Sequence, residues 1–292
     1  MRVFIISDME GVNGVLNLYD WCVPTGSRNA AGCRLLTEEV NAAVSGFFAG
    51  GASEVIVYDG HGASGSILGE MLDTRAALQR GRMDFPVMNS NVDVLAFVGQ
   101  HAKAGSANAH LAHTQTEEAI DFRLNGVSLG EFGQSTYAFN EINVPAIFAA
   151  GDLAMTREAE EIVPGIITVA VKEGFNLPVK AECSADNVFP GESAALHYPR
   201  ARVLAEIEKN ARLAAEKFLK TPDAFAVTPL PGSQYTAEAE YRKTSVRIAA
   251  EVGEYPARKI RTSICSTIRA ALKEFYTQRE WCMPDGEFVI EI

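Results

Sequence analysis

Three short apolar runs in this chain each stop at a polar side chain of the metal-binding type. Val3-Phe4-Ile5-Ile6 runs into Ser7-Asp8-Met9-Glu10-Gly11, and Val55-Ile56-Val57-Tyr58 runs into Asp59-Gly60-His61-Gly62. Val94-Leu95-Ala96-Phe97-Val98 runs into Gly99-Gln100-His101. As strands of an open parallel α/β sheet, their carboxyl ends would line one crevice, which is where such sheets bind ligands. Two carboxylates and two imidazoles, distant in sequence, would then converge on one spot. That is the composition of a hydrolytic metal centre.

The segments between the runs support the same fold. Leu36, Val40, Ala43, Val44 and Phe47 recur at helical spacing, and Gly50-Gly51 supplies a stop because glycine tolerates the left-handed geometry of a helix end. A further apolar run at 145–150 ends in Gly151-Asp152, a Glu-rich helix follows, and Ile166 to Val171 reads as a β-branched strand ending in Lys172-Glu173-Gly174. Alternating strands and amphipathic helices predict a largely parallel α/β domain over residues 1–180, with the metal site at the strand carboxyl ends. Residues 175–200, with Pro178, Pro190 and Pro199, read as a connection. Residues 181–292 read as a smaller α/β domain that covers the site or makes subunit contacts. Its expected elements are a helix from Pro199 to Leu219, strands at Phe225–Val227, Thr244–Ala249 and Phe288–Ile292, and a helix at Ile264–Phe275.

Composition narrows the function. With 26 basic and 37 acidic residues the formal net charge is −11, which argues against sequence-independent nucleic-acid binding. A locally positive pocket stays compatible, because bound metal ions bring their own charge. No run reaches the roughly 18 apolar residues of a membrane span, and no signal-peptide stretch opens the chain. The five cysteines (Cys22, Cys33, Cys183, Cys265, Cys282) are odd in number and scattered, without a C-x-x-C pair. They read as reduced thiols of a cytoplasmic protein.

Each candidate residue also has a plainer explanation. Asp8, two residues before Glu10, is in a common position for a helix N-cap or a turn. Gly11 and Gly14 suggest a tight turn that lets the backbone approach whatever the carboxylates bind. His101, after an apolar strand, has the position of a satisfied core histidine, and Glu131 that of a first-turn complement to a helix dipole over Phe132–Asn140. His61 sits between two glycines, where packing gives it no role. As a ligand it needs its second ring nitrogen fixed, with Asp59 or a backbone carbonyl available. The shared sheet edge of Asp8, Glu10, His61 and His101 favours the metal reading. His110 and His113 are three apart, and spacing does not choose between them; His197 reads as structural or surface. Structural zinc sites take four Cys or His ligands. Three carboxylates and two histidines instead suit two hydrolytic ions, zinc first, with manganese or cobalt as substitutes.

The chain resembles the zinc-dependent D-aminopeptidases of the DppA type. The resemblance rests on Ser7-Asp8-Met9-Glu10-Gly11, Arg34-Leu35-Leu36-Thr37-Glu38-Glu39, Asp59-Gly60-His61-Gly62, His101-Ala102-Lys103-Ala104-Gly105, His113-Thr114, Asn125-Gly126 with Gly130-Glu131, Gly151-Asp152 and Val171-Lys172-Glu173-Gly174. These cover roughly residues 1–175 in family order. The resemblance implies a two-zinc site in which Asp8 bridges both ions, Glu10 and His61 complete one shell, and His101 and Glu131 the other. It implies that His113, of the His-Thr motif, is the catalytic histidine, and that chains assemble as decamers of two pentameric rings around an internal chamber. Two positions depart from the pattern: Gly60 stands where a serine is usual, and Gln100 where an aromatic is expected. Neither removes a ligand, but both lie beside the site and bear on substrate preference.

The resulting expectation is a metal-dependent aminopeptidase or related amidohydrolase acting on short peptides or amino-acid amides, with an N-terminal D-residue preferred. Two rivals remain: a metal- or peptide-binding protein without turnover, and a haloacid-dehalogenase-type phosphatase using Asp8 as nucleophile. The second has little use for His61, His101 and Glu131.

Overall fold

The chain enters through β1 (Arg2–Ser7), passes along helix α1 (Asn29–Ala49) to β2 (Glu54–Asp59), and adds β3 (Ala77–Gln79) and β4 (Val94–Gln100). A short pair, β5 (Ala119–Leu124) and β6 (Val127–Ser128), precedes α2 (Glu131–Asn140), β7 (Ala146–Asp152), α3 (Leu153–Ile162) and β8 (Ile167–Phe175). The remainder runs through β9 (Ala194–His197), α4 (Arg200–Lys220), β10 (Ala237–Tyr241), β11 (Thr244–Ile248), β12 (Glu251–Tyr255), β13 (Arg258–Arg261) and α5 (Ile268–Trp281). This computed structural model describes residues 1–62, 64–81, 91–175, 194–241, 244–248, 251–255 and 258–281.

The main sheet has seven strands in the order β3-β2-β1-β4-β7-β8-β9, parallel except for β9, which bears out the expected α/β class with a largely parallel sheet. Its central strands β1, β4 and β7 are buried nearly end to end because both faces are covered. On one face Phe4 and Phe97 meet Phe139 and Phe132 of α2; on the other Phe148 meets Phe47 of α1. Helix α4 lies along α1, and glycine makes that approach possible. A Cβ on Gly46 would fall 2.1 Å from the Glu208 carbonyl oxygen, and one on Gly50 2.6 Å from Ala215 Cβ. The left-handed stop of α1 is therefore Gly51 (φ +102°), while Gly50 serves packing.

The chain leaves β1 for β2 on one side, and β4 joins on the other. The strand order thus reverses at β1–β4, the position at which open α/β sheets bind ligands. Ser7 is level with Asp59 and Val98 in the register, so residues 8–10, 59–61 and 99–101 share one edge.

A second, antiparallel sheet, β13-β10-β5-β6, combines strands from both ends of the chain and packs against α5 through the Phe122–Phe275 ring contact. β11 and β12 form a separate hairpin. The expected strand at Phe225–Val227 is not one: Pro222–Phe225 is a 3-10 turn whose Phe225 is buried against Phe218 and under the Lys217 ammonium. The helix expected from Ile264 starts at Ile268, because Cys265 still pairs with Tyr235 and the Glu141 carboxylate accepts from the Ile268 and Arg269 amides. Pro178, Pro190, Cys183, Cys282, the 180/181 boundary and the Phe288–Ile292 strand lie outside the described residues. After that boundary the chain returns to the main sheet through β9 and α4 before it crosses to β10. No described helix is long and apolar enough to cross a membrane.

Candidate metal centre

The ends of β1 and β4 are locked to one another by backbone contact. Asp8 N donates to Val98 O (2.9 Å) and Gly11 N to Gly99 O (2.7 Å). A Cβ on Gly11 would sit 2.0 Å from the Gln100 carbonyl oxygen, and one on Gly99 2.0 Å from that of Asp8. Gly11 is thus required by the strand-end contact itself. This lock carries the side chains of Asp8, Glu10 and His101 into one buried group whose donor atoms lie within 4.8 Å of each other.

The other expected residues join them. His101 Nε2 lies 3.3 Å from Asp8 Oδ2 and 3.5 Å from Glu131 Oε1, Glu131 being the first residue of α2. His61 Nε2 lies 3.1 Å from Glu10 Oε1. His113 stacks flat on His101, ring centroids 3.9 Å apart and planes 12° apart, with its Nε2 4.0 Å from Glu131 Oε1. By distance His113 groups with His101 and Glu131 as a possible donor. His110 stays out: its amide donates to Asp152 Oδ2 (3.1 Å) and its ring meets His197 edge-on at 5.8 Å. His197 Nδ1 in turn accepts from Gly14 N (2.9 Å), a structural role.

Each site histidine has its second nitrogen fixed. His101 Nδ1 faces Ala102 O and His113 Nδ1 faces Leu111 O, both at 2.9 Å. A carbonyl only accepts, so both rings carry hydrogen on Nδ1 and turn Nε2 toward the carboxylates. For His61 the partner is Ser66 Oγ at 2.8 Å, not the expected Asp59 or a carbonyl. Asp59 Oδ2 instead accepts from the Gly65 and Ile67 amides and holds the histidine loop.

The donor set fits divalent cations. Glu10 Oε2 and His101 Nε2 are buried polar atoms with no hydrogen-bond partner, although oxygen and nitrogen donors surround them. Buried polar atoms are nearly always satisfied, so orphaned donors that face one another call for a cation. Without one, protons take up the strain. Burial, with help from Glu10, raises Asp8 to about 6. Burial opposes charge on His61 and His101, yet Glu10 lifts the first to about 9, and Glu131 with Asp8 holds the second well above its usual range. Against its own burial, Glu131 is drawn down to about 2 by His101. Metal binding would displace such protons. For His113, burial and the neighbouring His101 charge depress the ring and keep it neutral.

Two residues that the motifs contain, but to which they give no role in the centre, support it. Gln100 Nε2 donates to Asp8 Oδ2 (2.9 Å), so the departure from an aromatic at this position orients a site carboxylate. Lys172, fully buried on β8, donates to Glu10 O (2.6 Å) and fixes the loop that carries both carboxylates. Burial lowers it to about 8. Beside the cluster opens a cleft of about 250 Å³, lined by Glu10, His61 and His113 together with Tyr19, Cys22, Glu117 and Glu118 among others.

Comparisons with known proteins point to one family. The profile of the D-aminopeptidase family matches residues 1–277. A D-aminopeptidase of Bacillus subtilis (strain 168) is 32% identical over 178 residues, which span 59% of this chain and 64% of that relative. The solved structure of a Zn-dependent D-aminopeptidase, DppA from Bacillus subtilis, described as a self-compartmentalizing protease, superposes with a TM-score of 0.75. That match covers 96% of this chain and 97% of the other at 22% identity, and so speaks for the fold. With its family profile matched over nearly its whole length, this chain belongs to the D-aminopeptidase family.

Proposed function

We propose that this chain is a metal-dependent aminopeptidase that cleaves short peptides or amino-acid amides, preferring an N-terminal D-residue. The observation that carries the reading is the convergence of Asp8, Glu10, His61, His101 and Glu131 around unpartnered buried donors. Asp8 would bridge two ions, Glu10 and His61 completing one shell and His101 and Glu131 the other. Two divalent ions held there, zinc first and manganese or cobalt as substitutes, would supply Lewis acidity toward a water and the scissile carbonyl.

The chain's own residues do the rest. Gln100 keeps Asp8 turned into the site. Nδ1 of His113 is tied to Leu111 O, so its Nε2 is the atom that takes a proton from the attacking water and returns it to the leaving amine. Glu117 and Glu118 line the cleft as carboxylates suited to a substrate's terminal ammonium. A phosphatase with Asp8 as covalent nucleophile would leave His61, His101 and Glu131 without work. The self-compartmentalizing relative supports a closed assembly of chains, proposed here as two stacked pentameric rings, and the free thiols of Cys22, Cys33 and Cys265 are in keeping with a cytoplasmic location.

A hydrolysis screen of paired D- and L-dipeptides and amino-acid amides, with zinc, manganese or cobalt, tests this. Metal-dependent release of the N-terminal amino acid, faster for D-substrates, is expected. Metal binding without turnover on any of them would favour a binding protein.

A further inference from the structure

Cys22 ends a single π-helical turn, Leu18–Cys22, in the loop between β1 and α1. It is 3% exposed and lines the cleft beside the metal centre. The turn is built to hold it in place. Asn17 caps the turn by accepting from the Asp20 amide, Val23 N returns to Leu18 O at 3.2 Å, and Arg28 N binds Asp20 O at 2.8 Å. Its sulfur lies in one group with a Glu10 carboxylate oxygen and a His61 ring nitrogen, all three within 4.8 Å of one another. The independent sign that this group awaits a ligand is Glu10 Oε2, an atom without a hydrogen-bond partner on a residue only 5% exposed.

We propose that Cys22 is a thiolate ligand to the ion held by Glu10 and His61, which makes this half of the centre a carboxylate–histidine–cysteine site. This rests on the two-ion reading above and adds a donor to it. On binding, the S–H bond breaks, a metal–sulfur bond forms and the proton leaves to solvent, with no change of oxidation state. Before binding the thiol is neutral, because burial and the nearby Glu10 charge push its ionisation up; a coordinated thiol is deprotonated outright. A soft sulfur donor selects zinc over manganese, so the two halves of the centre should differ in metal preference, the half with His101 and Glu131 being more permissive.

The test is X-ray absorption at the zinc edge on the full chain loaded with zinc, joined to the near-ultraviolet spectrum of the cobalt(II)-loaded chain. Wild type should show a sulfur scatterer at about 2.3 Å and a thiolate-to-cobalt charge-transfer band. Both should disappear in Cys22→Ser while the metal stays bound, and both should persist in Cys33→Ser, whose sulfur faces Asn29 instead. Metal bound to the wild type with nitrogen and oxygen scatterers alone would overturn the cysteine ligand and leave the two-ion reading standing. Failure of the wild type to bind zinc or cobalt at all would overturn both.

Discussion

His101 and His113 are stacked rings with the same Nδ1 anchoring, and what separates them is the company of Nε2. That of His101 lies 3.3 and 3.5 Å from two carboxylates, that of His113 4.0 Å from one. His113→Ala should therefore keep the metals and the fold but lose about 10²–10⁴-fold in turnover, the scale of general acid–base catalysis. Metal analysis beside kinetics checks this, and loss of an ion in the variant would move His113 into the ligand set. His110, buried and away from the cluster, predicts a different effect. Burial, with the Lys172 charge, lowers it to about 3 against 6.5 unperturbed. As pH falls below the unperturbed value, the unfolded chain takes up a proton that the folded chain refuses. The stability present above that pH is then lost toward the folded value. From pH 6.5 to about 4.5 this amounts to ~2–3 kcal/mol. Wild type should lose that much more than His110→Gln in denaturant titrations across the window, and parallel curves would contradict the assignment.

At the scale of elements, the site depends on how closely β1 and β4 end together. Gly11→Ala would place a methyl against the Gln100 carbonyl and force the strand ends apart. A stability loss of ~1–3 kcal/mol is expected, as for other overpacked positions, with weaker metal retention. Unchanged metal affinity by calorimetry would show that the lock does not position the ligands. Glu141→Ala removes the carboxylate cap of α5 and should cost ~1 kcal/mol without touching the metals. Strands β1, β2 and β4 were legible because each is an apolar run with a ligand-type residue at its end. β7 and β8 were legible as apolar or β-branched runs, whereas β3, three residues long, gave no such run. The second sheet was not legible either. Ala237–Tyr241 alternates buried and more exposed side chains, but over five residues, and it pairs with a strand more than a hundred positions earlier. Phe225 shows the converse, an apolar plug in a turn that imitates a strand. In the site, Asp8, Glu10, His61, His101 and Glu131 could be proposed from motifs. Ser66 and the cysteine at position 22 could not, and Gln100 was placed beside the site without its bond to Asp8, because these contacts depend on loop conformation that periodicity does not encode.

For the whole molecule, a chain of net charge −11 surrounds a cluster of three carboxylates, an arrangement that divalent ions offset locally. Ring assembly would add a second level of control. Closed rings need contacts between different surfaces of neighbouring chains, and exposed Phe175, Leu196 and Ile264 supply apolar surface for them. Light scattering should report a closed multimer, with activity falling steeply as peptides lengthen. A monomer that trims the N-terminus of a folded protein would remove the chamber. On the reading proposed above, this fold assembles a two-ion centre bridged by Asp8. Metal content per chain after full loading and gel filtration tests it most directly, for wild type and Asp8→Ala in parallel. About two zinc ions per wild-type chain are expected, with loss of both in Asp8→Ala; at most one ion in the wild type would rule out the two-ion centre.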